Sequence, residues 1–389
     1  MPLRDDNKDK WVYRPHTEVK HEILEKYLHP WVNKLTTYNE ESGDQNKVRV
    51  IDCFAGRASY TDIEGTSPRE MEHISTPAEV PGSPQIILDR LTSRSGQYDS
   101  AECILIERNK NNYNKLNSTI EKTEGYSEKI SIEYYNNDFK EIILDIVNTD
   151  GQDCPTLFFI DPFGFSDLEY DIITEIGSTG QFELLITFMY RDMNRFLNNY
   201  EHQKAMNRVF GEQKWKGEIE SYSADNWVPL VEYYSDRIKE GGPERTFEYK
   251  ITEPESNQTI YYLVFGSNHP NGIRTMRRVM KHCGTGNSFA YAPKDPKYDP
   301  NQQKLGTGTD STKQFLKERF SEYIITFNKL VKISIEERKY KPETESEYRE
   351  AVHELEDSGE VDVIRITSKN NGIKGSDLVD FHDSDKFLG

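Results

Sequence analysis

Four carboxylates stand at or just past the ends of apolar runs: Asp52 after Val48–Ile51, Glu107 after Cys103–Ile106, Asp138 after Ile130–Tyr135, and Asp161 after Leu157–Ile160. The last opens the tetrad Asp161-Pro162-Phe163-Gly164. An acid followed by a rigid proline and an aromatic ring offers two hydrogen-bond acceptors, the carboxylate and the Pro162 carbonyl, beside a face for stacking. That suits a planar aromatic amine, a poor nucleophile that reacts when acceptors engage its N–H groups and an electrophile is held in line. Asp161, Pro162 and Phe163 are therefore the candidate catalytic residues. Gly164, with Asn194 and Arg195 just beyond the next strand, are candidate substrate contacts. A solvated Asp at an ordinary turn would account for Asp161 alone. It does not account for four acids in register on one edge, because core packing does not require them.

The apolar runs are short and rich in β-formers, and Gly or Pro stops them, so they read as buried strands. Acids that end such strands lie at the carboxyl edge, where open α/β sheets bind ligands. Glu107 is placed to accept two hydrogen bonds from ribose hydroxyls, and Asp138 to meet an adenine amino group. After the first strand, Asp52-Cys53-Phe54-Ala55-Gly56 turns through one glycine, whose missing side chain permits close approach to a ligand. The expected cofactor contacts are Asp52, Phe54, Ala55, Gly56, Glu107, Asp138 and Phe139.

Helical spacing appears between these strands. Ile23, Leu24, Tyr27, Leu28, Trp31 and Leu35 give an N-terminal helix over 17–35, with Pro30 set to kink or divide it. His16 and His21 read as structural or surface residues. Tyr60 to Pro81 reads as a long loop. Ser83 is a fair helix cap before Pro84. Helices follow at about 110–121, 140–147 and 167–176, with a fifth strand over 182–190. Strand and helix in alternation imply a parallel sheet covered on both faces. Further on, 192–220 and 227–238 read as helical. Phe247–Ile251 and Thr259–Phe265 pair as a hairpin that completes a seven-stranded sheet with a reversed last strand. Asn271–His282 closes the domain, its Arg274, Arg277 and Arg278 on a solvated face. An amphipathic helix over 312–330, a second over 343–355 and a strand after Gly359 form a separate C-terminal piece.

The chain carries a net charge of −18, which counts against a protein that coats nucleic acid through a basic surface but leaves room for a local basic groove. Its 389 residues suffice for two domains, and 12% aromatic content supplies a core. The four cysteines, Cys53, Cys103, Cys154 and Cys283, form no C-x-x-C pair, so neither zinc nor a disulfide framework is suggested. No apolar stretch is long enough to span a membrane, and the polar start lacks a signal-peptide core, so a cytoplasmic location is expected.

Asp52-x-Phe54-Ala55-Gly56, Glu107, Asn137-Asp138 and Asp161-Pro162-Phe163-Gly164 together resemble the Rossmann-like S-adenosylmethionine-dependent methyltransferases. With Lys20–Tyr27, Gly82-Ser83-Pro84 and Tyr261–Phe265, the chain most resembles the three-Cys-motif partner proteins (TcmP family) over most of residues 11–285. The resemblance implies a Rossmann-like α/β methyltransferase domain over 1–285 with a helical insertion at about 192–240. It also implies a linker over 286–310 and a small α+β winged-helix-like domain over 311–389. The tetrad is also similar to that of tRNA guanine-N2 dimethyltransferases, which points to an exocyclic amine. The expected cofactor is S-adenosylmethionine, with no metal. The expected partners are nucleic acid (tRNA, rRNA or DNA) or a three-Cys-motif protein. The chain departs from the family pattern at Arg57 and Ala58, where a more glycine-like turn is usual. A second reading follows, in which the domain only senses S-adenosylmethionine and acts through protein contacts. A nicotinamide-dependent oxidoreductase is disfavoured, because no G-x-G-x-x-G follows the first strand.

Overall fold

Strands buried on both faces have no polar alternation to show, and the central runs of this chain are of that kind. In the computed structural model they become β1 (Lys47–Asp52), β2 (Ser100–Ile106), β3 (Ile130–Tyr135), β4 (Thr156–Ile160) and β5 (Phe182–Phe188). The antiparallel pair β6 (Arg245–Thr252) and β7 (Thr259–Ser267) and a short β8 (Ala290–Tyr291) join them. The structure describes residues 12–42, 46–60, 62–63, 79–149, 154–177, 181–212, 215–221, 229–295, 309–339, 341, 343–366 and 372–382. Most of the expected 60–81 loop, most of the 286–310 linker and the start of the 227–238 helix lie outside the described residues.

The chain divides into two compact units, Met1–Cys283 with Ala290–Lys294, and Gly284–Phe289 with Asp295–Gly389. The first is built on one sheet of eight strands in the order β8-β6-β7-β5-β4-β1-β2-β3. The count exceeds the expected seven because the two-residue β8 adds to β6 in parallel. β1 to β5 run parallel, and β7 runs antiparallel to both β5 and β6. From β1 the chain moves outward through β2 and β3, then returns to β4 on the other side of β1. The strand order therefore reverses between β1 and β4, the place where such sheets take ligands.

Alternate residues serve opposite faces. Ile51, Ile104, Phe158, Ile160, Leu184 and Ile186 share one apolar cluster with residues of α4 (Phe139–Thr149), α5 (Tyr170–Gly177) and α9 (Pro229–Lys239). Against the other face, α1 (Pro15–Ser42) packs with α2 (Ser83–Ser93) and α10 (Pro270–Cys283). α3 (Lys110–Lys122) follows β2 and is capped by the Asn109 side chain.

Several boundaries differ from the sequence expectation. α1 runs unbroken through Pro30. The cap of α2 is Gly82 rather than Ser83, since Gly82 sits where a Cβ would lie 2.7 Å from the Ala58 carbonyl oxygen. The 192–220 helix is instead α6 (Tyr190–Phe196), a 3-10 turn at Tyr200–His202, α7 (Gln203–Phe210) and α8 (Trp215–Ser221). Asn199 breaks the first by accepting from the Glu201 amide at 2.9 Å, and Gly211, at φ +70°, ends α7. Arg277 is buried over the Phe247 ring, 4.7 Å from its centroid, and is not on a solvated face.

The second unit orders α11 (Thr309–Phe320), β9 (Ile324–Thr326), α12 (Phe327–Glu337), α13 (Glu345–Asp357), β10 (Asp362–Ile364) and β11 (Leu378–Asp380). Its antiparallel sheet runs β9-β11-β10. The single amphipathic helix expected over 312–330 is thus two helices. Glu322, at φ +66°, turns the chain, and the Thr326 side chain caps α12.

One carboxylate ties α1 to β5. Glu183 of β5 accepts from Tyr27 Oη at 2.5 Å and from Ser267 Oγ at 3.0 Å. Gly272 lets α10 close over it, since a Cβ there would meet Glu183 Oε1 at 2.1 Å. Enclosure lifts the Glu183 pKa from 4.5 to about 7. A carboxyl raised in the folded state contributes stability that is fully present below its unfolded pKa of about 4.5 and lost as pH rises through about 7. Thermal melts should therefore show the wild type losing more stability than Glu183→Gln between pH 5.5 and 8, by a few kcal/mol in order of magnitude. Parallel pH profiles would show that Glu183 does not carry this linkage.

Candidate functional site

The loop after β1 is fixed by backbone bonds to its neighbours. Cys53 N–H donates to Phe159 O and Ala55 N–H to Ile106 O, both at 2.9 Å. Gly56, at φ +64°, donates its N–H to Glu107 Oε2 at 3.0 Å. The Asn109 amide donates to Glu107 Oε1 at 2.6 Å. Glu107 is 4% exposed, and burial raises its pKa against the pull of those two amides. Ala58 takes φ +67°, a left-handed conformation that costs a residue with a Cβ roughly 1–2 kcal/mol. Its carbonyl accepts the Gly82 amide, so α2 begins on the loop. Arg57 donates from Nε to Asn112 Oδ1 at 2.8 Å, which directs its side chain toward α3. The departure from a glycine-like turn is therefore absorbed by one strained residue and one outward-bonded arginine.

Asp52 is fully buried. Its Oδ1 accepts the Phe54 amide at 3.2 Å, and its Oδ2 has no hydrogen-bond partner among the described residues. Burial raises its pKa from 3.8 to about 7, the Ser83 hydroxyl and the Phe54 amide opposing that rise. An ionised carboxylate oxygen without a donor is costly in such a place, and a cationic group arriving there would relieve it.

A shallow cleft, with about the room of a single water, opens at the carboxyl edge of β1, β2 and β3. Phe54, Glu107, Arg108, Asn137, Phe139 and Phe163 line it. The Phe54 and Phe139 rings lie 5.4 Å apart by centroid. Asp138 does not line this cleft. Its Oδ1 accepts the Lys140 amide at 3.1 Å and so caps α4, and its Oδ2 lies 3.5 Å from Arg108 Nη1. Ala55 and Gly56 reach the site through the loop backbone, while Asn194 and Arg195 are exposed on α6 and neither lines the cleft.

Asp161 stands at the end of β4 with a partner that sequence reasoning missed. Lys20 Nζ of α1 lies 2.5 Å from Asp161 Oδ2, and the lysine itself is 7% exposed. Asp161 Oδ1 has no hydrogen-bond partner among the described residues. The Lys20 ammonium also sits over the Tyr261 ring at 5.5 Å, and Tyr261 Oη donates to the His16 carbonyl at 2.6 Å. His21 is buried beside Tyr13 and Tyr60, at 5.7 and 5.8 Å between centroids, and its Nδ1 has no hydrogen-bond partner among the described residues. Burial first, and then the Lys20 charge, lowers His16 to about 4 and His21 to about 3, so both rings are neutral near pH 7. The signal in the sequence was the spacing of His16, Lys20 and His21 on the first turns of one helix. It became legible only when α1 crossed the carboxyl edge. Phe163 is 59% exposed at the mouth of the cleft, and Gly164 has open space where a Cβ would stand.

Among the described residues no group of His, Cys, Asp or Glu is arranged to hold a metal. Cys53 and Cys103 are buried, and burial pushes both thiols up, as expected of small core residues.

No family model matches the chain, and no curated protein matches it. Nothing in these comparisons places it among the three-Cys-motif partner proteins. Among solved structures, a Legionella pneumophila protein of family model DUF519 is 13% identical with a TM-score of 0.39, covering 67% of this chain and 89% of that one. Trm1 from Pyrococcus horikoshii in complex with S-adenosyl-L-methionine is 10% identical with a TM-score of 0.33, covering 68% of this chain and 59% of that one. Spermidine synthase with the transition-state analogue AdoDATO is 10% identical with a TM-score of 0.34, covering 77% and 74%. At such identities the likeness is one of outline.

Proposed function

We propose that the first unit is an S-adenosylmethionine-dependent methyltransferase acting on an exocyclic amine of a nucleic-acid base. The observation that carries this reading is the cleft at the carboxyl edge of β1, β2 and β3, with Glu107, Phe54 and Phe139 in its wall, together with an open acceptor at Asp161 at the end of β4. Glu107 has a backbone amide on each oxygen and the Asn112 side chain as a third donor, which leaves one lone-pair site for a ribose hydroxyl. Phe54 and Phe139 supply apolar walls for a purine ring, and Asn137 a polar contact at its edge. Asp52 Oδ2 is a buried acceptor for a cationic group.

S-adenosylmethionine supplies an electrophilic methyl group on a sulfonium. The chain's own part is to present the nucleophile. Lys20 fixes Asp161 Oδ2, so Oδ1 and the Pro162 carbonyl accept the two amine N–H groups, and exposed Phe163 stacks on the base. Closure of such a site excludes water and strengthens these bonds. A base within a duplex would first leave the stack. The second unit, which we read as winged-helix-like from its element order, is a candidate for partner or nucleic-acid contact. The Lys20–Asp161 pair favours one other reading, a non-catalytic sensor in which the acceptor is permanently engaged.

Calorimetric titration should show S-adenosylmethionine binding and no binding of NAD, with Glu107→Ala weakening the former roughly five- to a hundredfold through loss of about 1–3 kcal/mol of hydrogen bonding. Absence of binding would end this proposal. Asp161→Ala should abolish methyl transfer to unmodified RNA or DNA while leaving the cofactor Kd within about threefold; a variant that keeps the wild-type rate would remove Asp161 from the mechanism.

A pH dependence follows from Asp52. Its carboxyl is half protonated near pH 7, and only the ionised form attracts a cation, so the cofactor Kd should fall as pH rises from 6 to 8. Asp52→Asn should bind more weakly at pH 8 and lose that slope. A slope retained in Asp52→Asn would assign the titration to another group.

A further inference from the structure

We propose that Lys20 reads the base beside Asp161. The site takes an amine that adjoins an unprotonated ring nitrogen, as in adenine and cytosine, and rejects guanine. This specificity rests on the methyl-transfer reading above and narrows it.

An ammonium carries three N–H donors and no acceptor. Lys20 makes one hydrogen bond among the described residues, to Asp161 Oδ2 at 2.5 Å. Its charge also lies over the Tyr261 ring, 5.5 Å from the centroid, which attracts it without offering a conventional acceptor. Neither neighbouring imidazole takes up a further donor through Nδ1, since that atom of His16 and of His21 has no hydrogen-bond partner among the described residues. At least one N–H of Lys20 is therefore left over, in a buried place where an unbonded polar hydrogen is costly. The Lys20 side chain is 9% exposed and that of Asp161 21%, so a ligand meets this pair from the Asp161 side, where Oδ1 is open. The Pro162 carbonyl also accepts no hydrogen bond among the described residues. The pair thus offers an incoming ring two acceptors and one charged donor.

The donor stands beside the open oxygen because one carboxyl group holds both: Oδ2 binds Lys20 and Oδ1 faces the ligand. On adenine and cytosine the amine and the adjoining ring nitrogen, N1 or N3, are likewise joined through one carbon. An amine N–H that meets Oδ1 then brings the ring nitrogen, an acceptor, toward the spare donor of Lys20, and the second amine N–H is left for the Pro162 carbonyl. Reading a displaced base by its pairing edge is the usual economy of such sites. Guanine reverses the pattern. Its ring nitrogen on that edge is N1–H, a donor set against an ammonium, and Asp161 Oδ2, the acceptor that could receive it, is already taken by Lys20. The other neighbour of the guanine amine, N3, lies beside the glycosidic bond, where the sugar screens it. Opposed buried donors discriminate strongly, since each is left without its hydrogen bond.

The test is methyl transfer by the full chain from labelled S-adenosylmethionine to single-stranded oligouridylates that carry one adenine, cytosine or guanine, and to their oligothymidylate counterparts. Adenine or cytosine should exceed guanine by about a hundredfold or more in kcat/KM, and the separate arms show which of the two is taken. The analogue without the ring nitrogen, 1-deazaadenine or 3-deazacytosine, should react about tenfold or more slowly than its parent, whereas 7-deazaadenine should react like adenine. In Lys20→Met the deaza penalty should vanish, and guanine should gain on the preferred base because Asp161 Oδ2 is then free for N1–H. A lysine that only anchors α1 would lower every rate alike and leave both ratios unchanged. Melting curves check that Lys20→Met folds, and the wild-type ratios decide the matter without it. Guanine methylated as fast as the other bases, or a deaza base methylated as fast as its parent, overturns this specificity and leaves the methyl-transfer reading standing. Transfer to none of the three bases refutes both.

Discussion

Both oxygens of Glu107 are committed to backbone amides, one on the loop after β1 and one at the start of α3. Much of the site depends on that double bond. It sets Gly56 in its left-handed conformation and holds Ala58 against Gly82, so α2 can begin where it does. It also brings the end of β2 against the end of β1 at the edge of the cleft. A carboxylate that accepts two amides is held in one rotamer, so the lone pair left over points in a fixed direction. A buried acid held by peptide dipoles, the Asn112 side chain and the nearby Arg108 charge also stays responsive to whatever donor arrives next.

The parallel sheet and its edge acids were legible because each rests on a local signal. Runs such as Leu157–Ile160 announce themselves by composition, and Pro162 and Gly164 punctuate them. What could not be read was anything decided by a distant contact. Gly82 displaced Ser83 as the cap of α2 because the Ala58 carbonyl lies against it, a steric fact set 24 residues earlier. The role of Asp138 as the cap of α4, beside the ligand contact read for it, was also not visible. The break between α11 and α12 was hidden because Phe320, Ile324 and Phe327 keep helical spacing across a turn that Glu322 makes possible. Lys20, the closest partner of Asp161, lies 141 residues from it and was masked by the heptad-like apolar pattern around it.

The electrostatics of the site combine neutral and charged groups at close range. His16 and His21 are held neutral by burial, while Lys20 and Asp161 between them are paired. The region that could meet an aromatic ring is therefore mostly aromatic itself, from Tyr13, His21 and Tyr60 on one side to Tyr261 on the other. Such a surface discriminates by shape and hydrogen-bond pattern, since it offers little net charge to a nonspecific cation or anion. The charged contacts that do exist lie farther out, on α6 and around Arg108.

The anchoring of α1 also bears on when the site can exist during synthesis. Tyr27 waits for Glu183, and the His16 carbonyl waits for Tyr261, 245 residues later. A ribosome adds about 5–20 residues each second, so α1 spends roughly ten seconds or more without β5 and β7, which bond to it. Until β7 and α10 emerge, its native cover comes from β1 and α2. The edge that binds Asp161 to Lys20 closes only when the far hairpin has emerged, which makes completion of the site and completion of the fold a single event.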